Sequence, residues 1–386
     1  MSSECIYLDH AAATPVDAKV KAAMEPFLSD EFYNPSAPYA PAIAVRKKYH
    51  EAKERLAKCI GAKADDIVMT AGATESINLA FASVTDDVIT ASIEHHAVLA
   101  AAQRFAHVTI VDANNKGIVS AETIQAALTD TTQLVSIALA NNELGTIQPI
   151  REIAGVVQAE RQRRLAAGIK TPLLFHCDAS QGVGQLDVKV ARLGVDMLTL
   201  NAAKIYGPKQ VGLLWASSLV ALTPTIVGGG QEQGRRSGTE NVPGVMGFAT
   251  ALELATAHQK YESKRLAALR DTMQHRLCDA FPEAVVSGDM KHRLSGHLHI
   301  SFPGLDAERV LFALEMRGVL IATGSACAAN QGTRSHVLTA IGLPPDVADG
   351  SFRITLGHLS NEDNTAKATD IVIEEVKKEY ARSQKQ

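Results

Sequence analysis

Short, almost continuously apolar runs alternate with amphipathic stretches through the first half of the chain and beyond. The runs at residues 66–71, 88–93, 108–111, 134–139, 173–177, 197–200 and 211–215 are rich in Val, Ile and Leu. That texture predicts strands of a sheet covered on both faces. Between them, residues 75–81, 97–105, 121–128 and 150–166 carry helical spacing. Strand and helix in repetition predict a mostly parallel sheet in an α/β domain. On the helix at 150–166, Ile153, Val156 and Val157 form the apolar side, and Arg161, Arg163 and Arg164 are expected on the solvated end. Residues 241–280 are dominated by helix formers and predict one long helix or two. The texture then changes. Apolar runs at 297–302, 310–316, 319–322 and 352–356, followed by a helix from about 364 to 380, predict a smaller α/β domain. The expected division is a large domain at 16–255 and a small one at 256–386, with residues 1–15 packing on the latter.

The most apolar long window, 211–230, contains Ser217, Ser218, Thr223, Pro224 and Thr225 and ends in three glycines. A spanning helix needs about 20 mostly apolar residues, so the window reads as a buried strand and its connection. No secretory signal is expected at the start, MSSECIYLDH. The formal net charge of −4 argues against a general affinity for nucleic acid or an anionic membrane. A small anionic substrate must therefore be held by local groups. The five cysteines, Cys5, Cys59, Cys177, Cys278 and Cys327, are odd in number, widely spaced and free of any CxxC. They predict neither a disulfide framework nor a cysteine-based zinc site, and they fit a reducing cytoplasm.

Several polar residues stand where strands end. Lys204 follows the run 197–200. Burial there disfavours a charged amine and favours the nucleophile needed for a Schiff base. Lys209, after a Gly-Pro turn, is its more solvated competitor. Asp178 closes the run 173–177, at the edge where open α/β sheets bind ligands. Its carboxylate is suited to hold a pyridinium nitrogen protonated, or, as the plainer alternative, to cap a helix. Gln181 lies three residues on, suited to a ring oxygen. The segment Ala71-Gly72-Ala73-Thr74-Glu75-Ser76 joins a strand to a helix and suits a phosphate. His95 and His96 follow the run 88–93, and either imidazole could stack on a ring and shuttle protons. Arg353 opens an apolar strand, where it serves a substrate carboxylate or a structural ion pair. Cys327 lies in a small, polar, Gly-containing stretch, 322–333, that predicts an exposed loop. Cys59 and Cys278 fall in helical apolar patterns and are expected to be inert.

Taken together, the segments YLDHAAATPVD, NPSAP, AGATESINLA, SIEHHAVL, NNELGTIQPI, HCDASQGVG, AAKIYGPKQVGLLW, GGGQEQGRRSGTENV, TGSACAANQGTRSHVL and FRITLGHL resemble, in order, the cysteine desulfurases. These are fold-type I pyridoxal-phosphate enzymes, and the TGSAC stretch resembles the group with the long mobile cysteine loop. The resemblance implies a large domain with a mostly parallel seven-stranded sheet and a smaller C-terminal α/β domain. It implies pyridoxal 5′-phosphate as cofactor, L-cysteine as substrate, and L-alanine and an enzyme persulfide as products. It further implies a cytoplasmic homodimer that passes sulfur to an acceptor protein for iron–sulfur cluster assembly or tRNA thiolation, with no direct nucleic-acid or membrane binding. By position, Lys204 carries the cofactor, Asp178 pairs its ring nitrogen, Gln181 its ring oxygen, and His95 stacks on the ring, leaving His96 a bystander. Asn142 lies beside ring and substrate. Ala73 and Thr74 contact the phosphate, Asn201 contacts the cofactor, and Thr239 reaches the phosphate of the partner subunit. Arg353, with Asn34, grips the substrate carboxylate, and Cys327 takes the sulfur.

Three departures from the family pattern stand out. The Ser or Thr and the His that usually precede the lysine are Asn201 and Ala203 here, which predicts weaker retention of the cofactor. Tyr39 replaces the histidine of the NPS segment. The sequence ends at Gln386, without the tail some members use to dock an iron–sulfur scaffold. Two alternatives stand beside desulfuration: a selenocysteine lyase or other lyase or aminotransferase relative, and a dimeric sulfur-relay scaffold without turnover.

Overall fold

The computed structural model describes residues 5–324 and 334–384. The chain opens with a two-residue strand, β1 (Ile6–Tyr7), and then lays down seven strands of one sheet. They are β2 (Ile67–Thr70), β3 (Val88–Ala91), β4 (Val108–Val111), β5 (Leu134–Ser136), β6 (Leu174–Asp178), β7 (Met197–Asn201) and β8 (Gly212–Ala216). Their spatial order is β2-β8-β7-β6-β5-β3-β4, with β8 antiparallel to both neighbours and every other pair parallel. This is the seven-stranded, mostly parallel sheet that the alternating apolar runs predict. Strands β2, β3, β5, β6, β7 and β8 are buried almost end to end. One face packs Phe175, Leu198, Leu213 and Phe248, and the other packs Ile77, Phe81, Leu134 and Leu214. Removing each such side chain from water stabilises the fold by about 1.5–3 kcal/mol.

Edge strand β4 is the exception, with Thr109 and Ile110 exposed. The predicted strand at 134–139 is shorter, ending at Ser136: Ile137 and Leu139 still donate to the His176 and Asp178 carbonyls of β6, but the Ala138 N–H turns to the Glu94 side chain. The run at 310–316 proves to be part of a helix, Ala307–Met316, whose buried residues Ala307, Val310 and Leu314 recur at helical spacing. Arg164 corrects the solvated-end expectation. It is 2% exposed and donates to the carbonyls of Thr129, Thr132 and Thr171. A guanidinium fork satisfies several buried carbonyls at once, so the charge is compensated rather than solvated.

The region 241–280 is one helix, Val242–Ala280, about 58 Å long at 1.5 Å per residue. Its first turns, through Leu252, pack on the main sheet; Leu266, Leu269, Met273 and Leu277 pack on a second core. That second core lies under the antiparallel sheet of β9 (Val285–Val286), β10 (His297–Ser301) and β12 (Ser351–Thr355), with the C-terminal helix Glu362–Ser383 against it. Strand β1 pairs in parallel with β11 (Val319–Leu320). The segment after β1 then runs to the main sheet, where Thr14 bonds the carbonyl of Ala203. Residues 9–14 therefore bridge the two lobes at the place where the site forms.

Candidate active site

Strands β2, β3, β5, β6 and β7 run the same way, so the residues that follow them gather along one edge of the sheet. That edge carries a cavity of about 290 Å³. Ala73, Thr74, His95, Asn142, Asp178, Gln181, Asn201, Lys204 and Arg353 all line it. Nine residues singled out between Ala73 and Arg353 in the sequence thus converge on one space. It is close in size to the smallest of ordinary small-molecule sites, about 300 Å³.

Asp178 is the last residue of β6, and no helix begins there. Its Oδ1 accepts from the Ser180 backbone N–H at 2.9 Å, an Asx turn that fixes the carboxylate at the cavity wall rather than a helix cap. Lys204 comes three residues after β7, within a single tight turn, Ala202–Lys204. Its Nζ donates to the carbonyls of Ala11 and Ala12, both at 2.7 Å. Gln181 Nε2 donates to the same Ala11 carbonyl at 3.1 Å. The first two of the three alanines of YLDHAAATP therefore work through their backbone, a role that side-chain chemistry in the sequence does not advertise. Lys209, the competitor, is exposed and donates to Thr14 O at 3.2 Å.

His95 precedes the helix His96–Ala102 and caps it, its Nδ1 accepting from the Ala97 N–H at 3.0 Å. The neutral ring then carries its proton on Nε2. Though the ring is open to the cavity, the walls around it remove enough water to lower its pKa. The neighbouring Asp178 carboxylate opposes that effect and Lys204 adds to it. His96 turns instead to His336, ring centroids 4.6 Å apart. Glu94, just before His95, is 2% exposed and anchors the far wall, accepting from the Ala138 N–H at 2.9 Å. Burial raises its carboxyl to about 8, and its Oε2 has no partner. The folded state thus holds a proton that the unfolded chain releases near pH 4.5, so this group lowers stability progressively as pH rises from about 4.5 to 8. Glu94→Gln is therefore expected to raise Tm at pH 8, with the gain shrinking toward zero at pH 5. Calorimetry across that range checks it, and a gain independent of pH contradicts it.

Arg353 lies in the middle of β12, 3% exposed, opposite His299 of β10. Its Nη2 donates to Asp9 Oδ1 at 2.7 Å, and Nη1 reaches the Asn142 carbonyl at 3.4 Å. Nε has no partner. Both readings of this arginine are open together: it forms an ion pair with Asp9, and it also lines the cavity. His297 and His299 flank it, fully enclosed, and burial with the arginine's charge lowers both to about 3. They stay neutral beside the Arg353 guanidinium.

Asn34 and Thr239 do not line this cavity. Both are exposed, and Asn34 Oδ1 accepts from Ser36 N. Cys327 lies outside the described residues. On either side of its segment, Ser335 donates to Glu143 Oε2 at 2.6 Å, and a side chain added at Gly324 would meet the same oxygen. Glu143 adjoins the cavity residue Asn142. Cys177 is buried, and Cys59 and Cys278 are partly buried, with burial raising all three thiols.

The donor set fits a phosphorylated pyridine. At one end, Gly72 opens the helix Ala73–Phe81 at φ 128° and offers no side-chain cap, so the first backbone N–H groups of the helix are left for an anion. Gly212 allows this approach, since a Cβ there would lie 2.7 Å from Gly72 Cα. Asn201 spends its Oδ1 on the Ala203 N–H at 3.1 Å, which leaves its amide N–H₂ to donate. At the other end sit the Asp178 carboxylate, the Gln181 amide and the Lys204 amine.

Residues 6–367 match the Aminotransferase class-V family. The chain is 37% identical over 378 residues to the cysteine desulfurase IscS of Dictyoglomus turgidum, covering 95% of this chain and 93% of the relative. It is 38% identical over 387 residues to that of an Anaeromyxobacter species, covering 97% and 93%. Among solved structures, one named a NifS-like protein superposes with a TM-score of 0.87 at 30% identity, over 96% of this chain and 98% of that one. Another, SspA in complex with cysteine, superposes with a TM-score of 0.76 at 35% identity, over 91% and 98%.

Proposed function

The chain belongs to the class-V aminotransferase family and, within it, to the cysteine desulfurases, and from that premise we propose how its own residues carry the conversion of L-cysteine to L-alanine. The observation that supports the assignment most is the meeting of Lys204, Asp178, His95 and Arg353 around one cavity. Pyridoxal phosphate, when bound, supplies an electron sink that stabilises negative charge on the substrate carbon.

Lys204 would hold the cofactor's aldehyde carbon and then serve as base and acid at the substrate's α-carbon. Asp178 would keep the pyridine nitrogen protonated, and Gln181 would donate to the ring oxygen. The Ala73 and Thr74 N–H groups and the Asn201 amide would receive the phosphate. His95 would cover the ring face and present Nε2–H to the substrate. Asn142 would lie beside ring and substrate. Arg353, joined by Asn34, would orient the substrate carboxylate. The Cys327 thiolate would attack the substrate sulfur: an S–S bond forms, the C–S bond breaks, and the carbon gains the electron pair and later a proton.

Thr239 is exposed and away from its own cavity, which supports a role at the phosphate of a second subunit. Phe32, Tyr39, Ile43 and Val227 are also exposed, at 67%, 51%, 45% and 80%. Phe32 and Tyr39 both meet Tyr33, ring centroids 4.6 and 6.1 Å away, and exposed aromatic side chains gathered in this way favour a homodimer. No helix among the described residues is long and apolar enough to cross a membrane, and we place the enzyme in the cytoplasm, handing sulfur to an acceptor protein of iron–sulfur assembly or tRNA thiolation. Incubation with cysteine, alanine measurement and mass-spectrometric mapping of the persulfide test the assignment. Alanine without a persulfide at Cys327 would favour a lyase, and no alanine would favour the scaffold.

Ala203 offers no side-chain donor where the family has an imidazole; its backbone serves Asn201 and Thr14 instead. Restoring the donor with Ala203→His is expected to slow loss of the cofactor on dialysis by about tenfold, the worth of one charge-assisted hydrogen bond of roughly 1.5 kcal/mol. Retained visible absorbance is the measure. A parent protein that keeps its full complement, equal to the variant's, contradicts the expectation.

A further inference from the structure

Lys204 lines two cavities. One is the candidate active site; the other is a smaller chamber of about 70 Å³, walled by the helix Val242–Ala280 and the end of β12. Ala11 and Gln181 also face both. A short stretch of backbone and one amide thus separate them.

The chamber's walls hold polar groups without partners. His10 is 7% exposed, and its Nδ1 lies 2.9 Å from the Thr355 carbonyl, so Nδ1 is the donor. Nε2 of the neutral ring is then an acceptor, and it is buried without a protein partner. His297, 3% exposed, faces the same chamber, and neither of its nitrogens has a partner. Each unpaired buried group costs about 1–3 kcal/mol, which marks a place for water. One water needs roughly 10–15 Å³, so the chamber has room for several. Its outer wall is formed by His358, whose side chain is 43% exposed, by Glu262 and by the exposed His258. The inner groups are fixed in place. A Cβ on Gly357 would lie 2.3 Å from His10 Cδ2 and 2.2 Å from Tyr206 Oη. Tyr206 itself holds φ at 63°, rare for a bulky residue.

We propose that this chamber is a hydrated proton path between solvent and Lys204, entered from the side away from the substrate, and that His10 relays the proton. The proposal rests on the desulfurase assignment, in which Lys204 takes a proton from the substrate's α-carbon. The C–H bond breaks and its proton passes to Nζ. The ammonium then gives a proton to a chamber water as that water gives one to His10 Nε2. The imidazolium releases it along the water chain toward His358 and Glu262. The same relay run in reverse returns a solvent proton to Nζ for delivery to the α-carbon, so the lysine and the imidazole both end neutral, and nothing is oxidised or reduced. The titratable and charged groups facing His10 are Tyr7 and Asp9 on its own segment, Lys204 and Tyr206 after β7, His358 after β12, and His258, Glu262 and Arg265 on the long helix. Burial, the largest influence, keeps the ring neutral between transfers.

An isotope experiment tests this. Cysteine deuterated at Cα is turned over in ordinary water by the holoenzyme, and the deuterium retained in the alanine is measured by mass spectrometry. With the path open, Lys204 exchanges with solvent first and little deuterium is retained. His10→Gln keeps a donor for Thr355; Ala255→Met fills the chamber from the helix. In both, retention is expected to rise several-fold, toward the about one-third that a rotating three-proton ammonium returns. Unchanged cofactor absorbance in each variant reports an intact site, and a merely structural role would slow turnover without moving the isotope ratio. Retention at the parent's level in both variants overturns the path. A rise in Ala255→Met alone overturns His10 as the relay. A parent that makes no alanine overturns the desulfurase assignment and the relay with it.

Discussion

Lys204→Ala is expected to lower alanine formation from cysteine by at least about 10³-fold and to leave the protein colourless after added cofactor is washed away. Two functions are lost together: the covalent hold on the cofactor, and a positioned acid–base group, itself worth about 10²–10⁴-fold. The position of the amine is set by backbone. Ala11 O and Ala12 O both accept from Nζ at 2.7 Å, so the amine is aimed before any ligand arrives. Removing it frees two carbonyls at a site open to the cavity, where water replaces the donor, and Ala11 O keeps Gln181. The fold is therefore expected to survive, which circular dichroism and Tm check. Lys209→Ala is the control: this exposed side chain holds only Thr14 O at 3.2 Å, and its loss should change stability by no more than about 0.5 kcal/mol and leave the colour intact. A Lys204→Ala protein that stayed yellow and active would assign the cofactor to another amine.

The main sheet was legible because its strands are buried on both faces and therefore apolar throughout, a signal carried by each segment alone. The site was legible for a related reason. Asp178 ends a buried strand, Lys204 and His95 each follow one, and a parallel sheet brings such positions to one edge. Three features were not legible. The run 310–316 carries Val, Leu and Phe that suit a strand, and only packing against the second core decides for a helix. Arg164 looks like its neighbours Arg161 and Arg163, but three carbonyls from other segments receive it. The contributions of Ala11 and Ala12 are made by carbonyls, and every residue has one. Asp9 is the partial exception. An acid in YLDH could have been matched to Arg353, but the two are 344 residues apart, and no local pattern joins them.

Arg353→Lys is expected to raise KM for cysteine by about 10–150-fold, the equivalent of 1.5–3 kcal/mol for hydrogen bonds to a charged group, with a smaller change in kcat. Lysine is the informative replacement because alanine would do two things at once. It would remove the guanidinium donors and also strand Asp9, whose Oδ1 now accepts from Nη2 at 2.7 Å. An ammonium can still meet Asp9, but as a compact charge it cannot fork toward a carboxylate at the same time. In the arginine, Nη2 is engaged by Asp9, Nη1 only distantly by the Asn142 carbonyl at 3.4 Å, and Nε by nothing. Nη1 and Nη2 each keep a second N–H, and the residue lines the cavity. Neutral His297 and His299 add no cation of their own beside it. Steady-state kinetics with cysteine separate the two roles of Arg353. A variant with unchanged KM but a lowered Tm would reduce the residue to its ion pair with Asp9, and the substrate carboxylate would then need another partner.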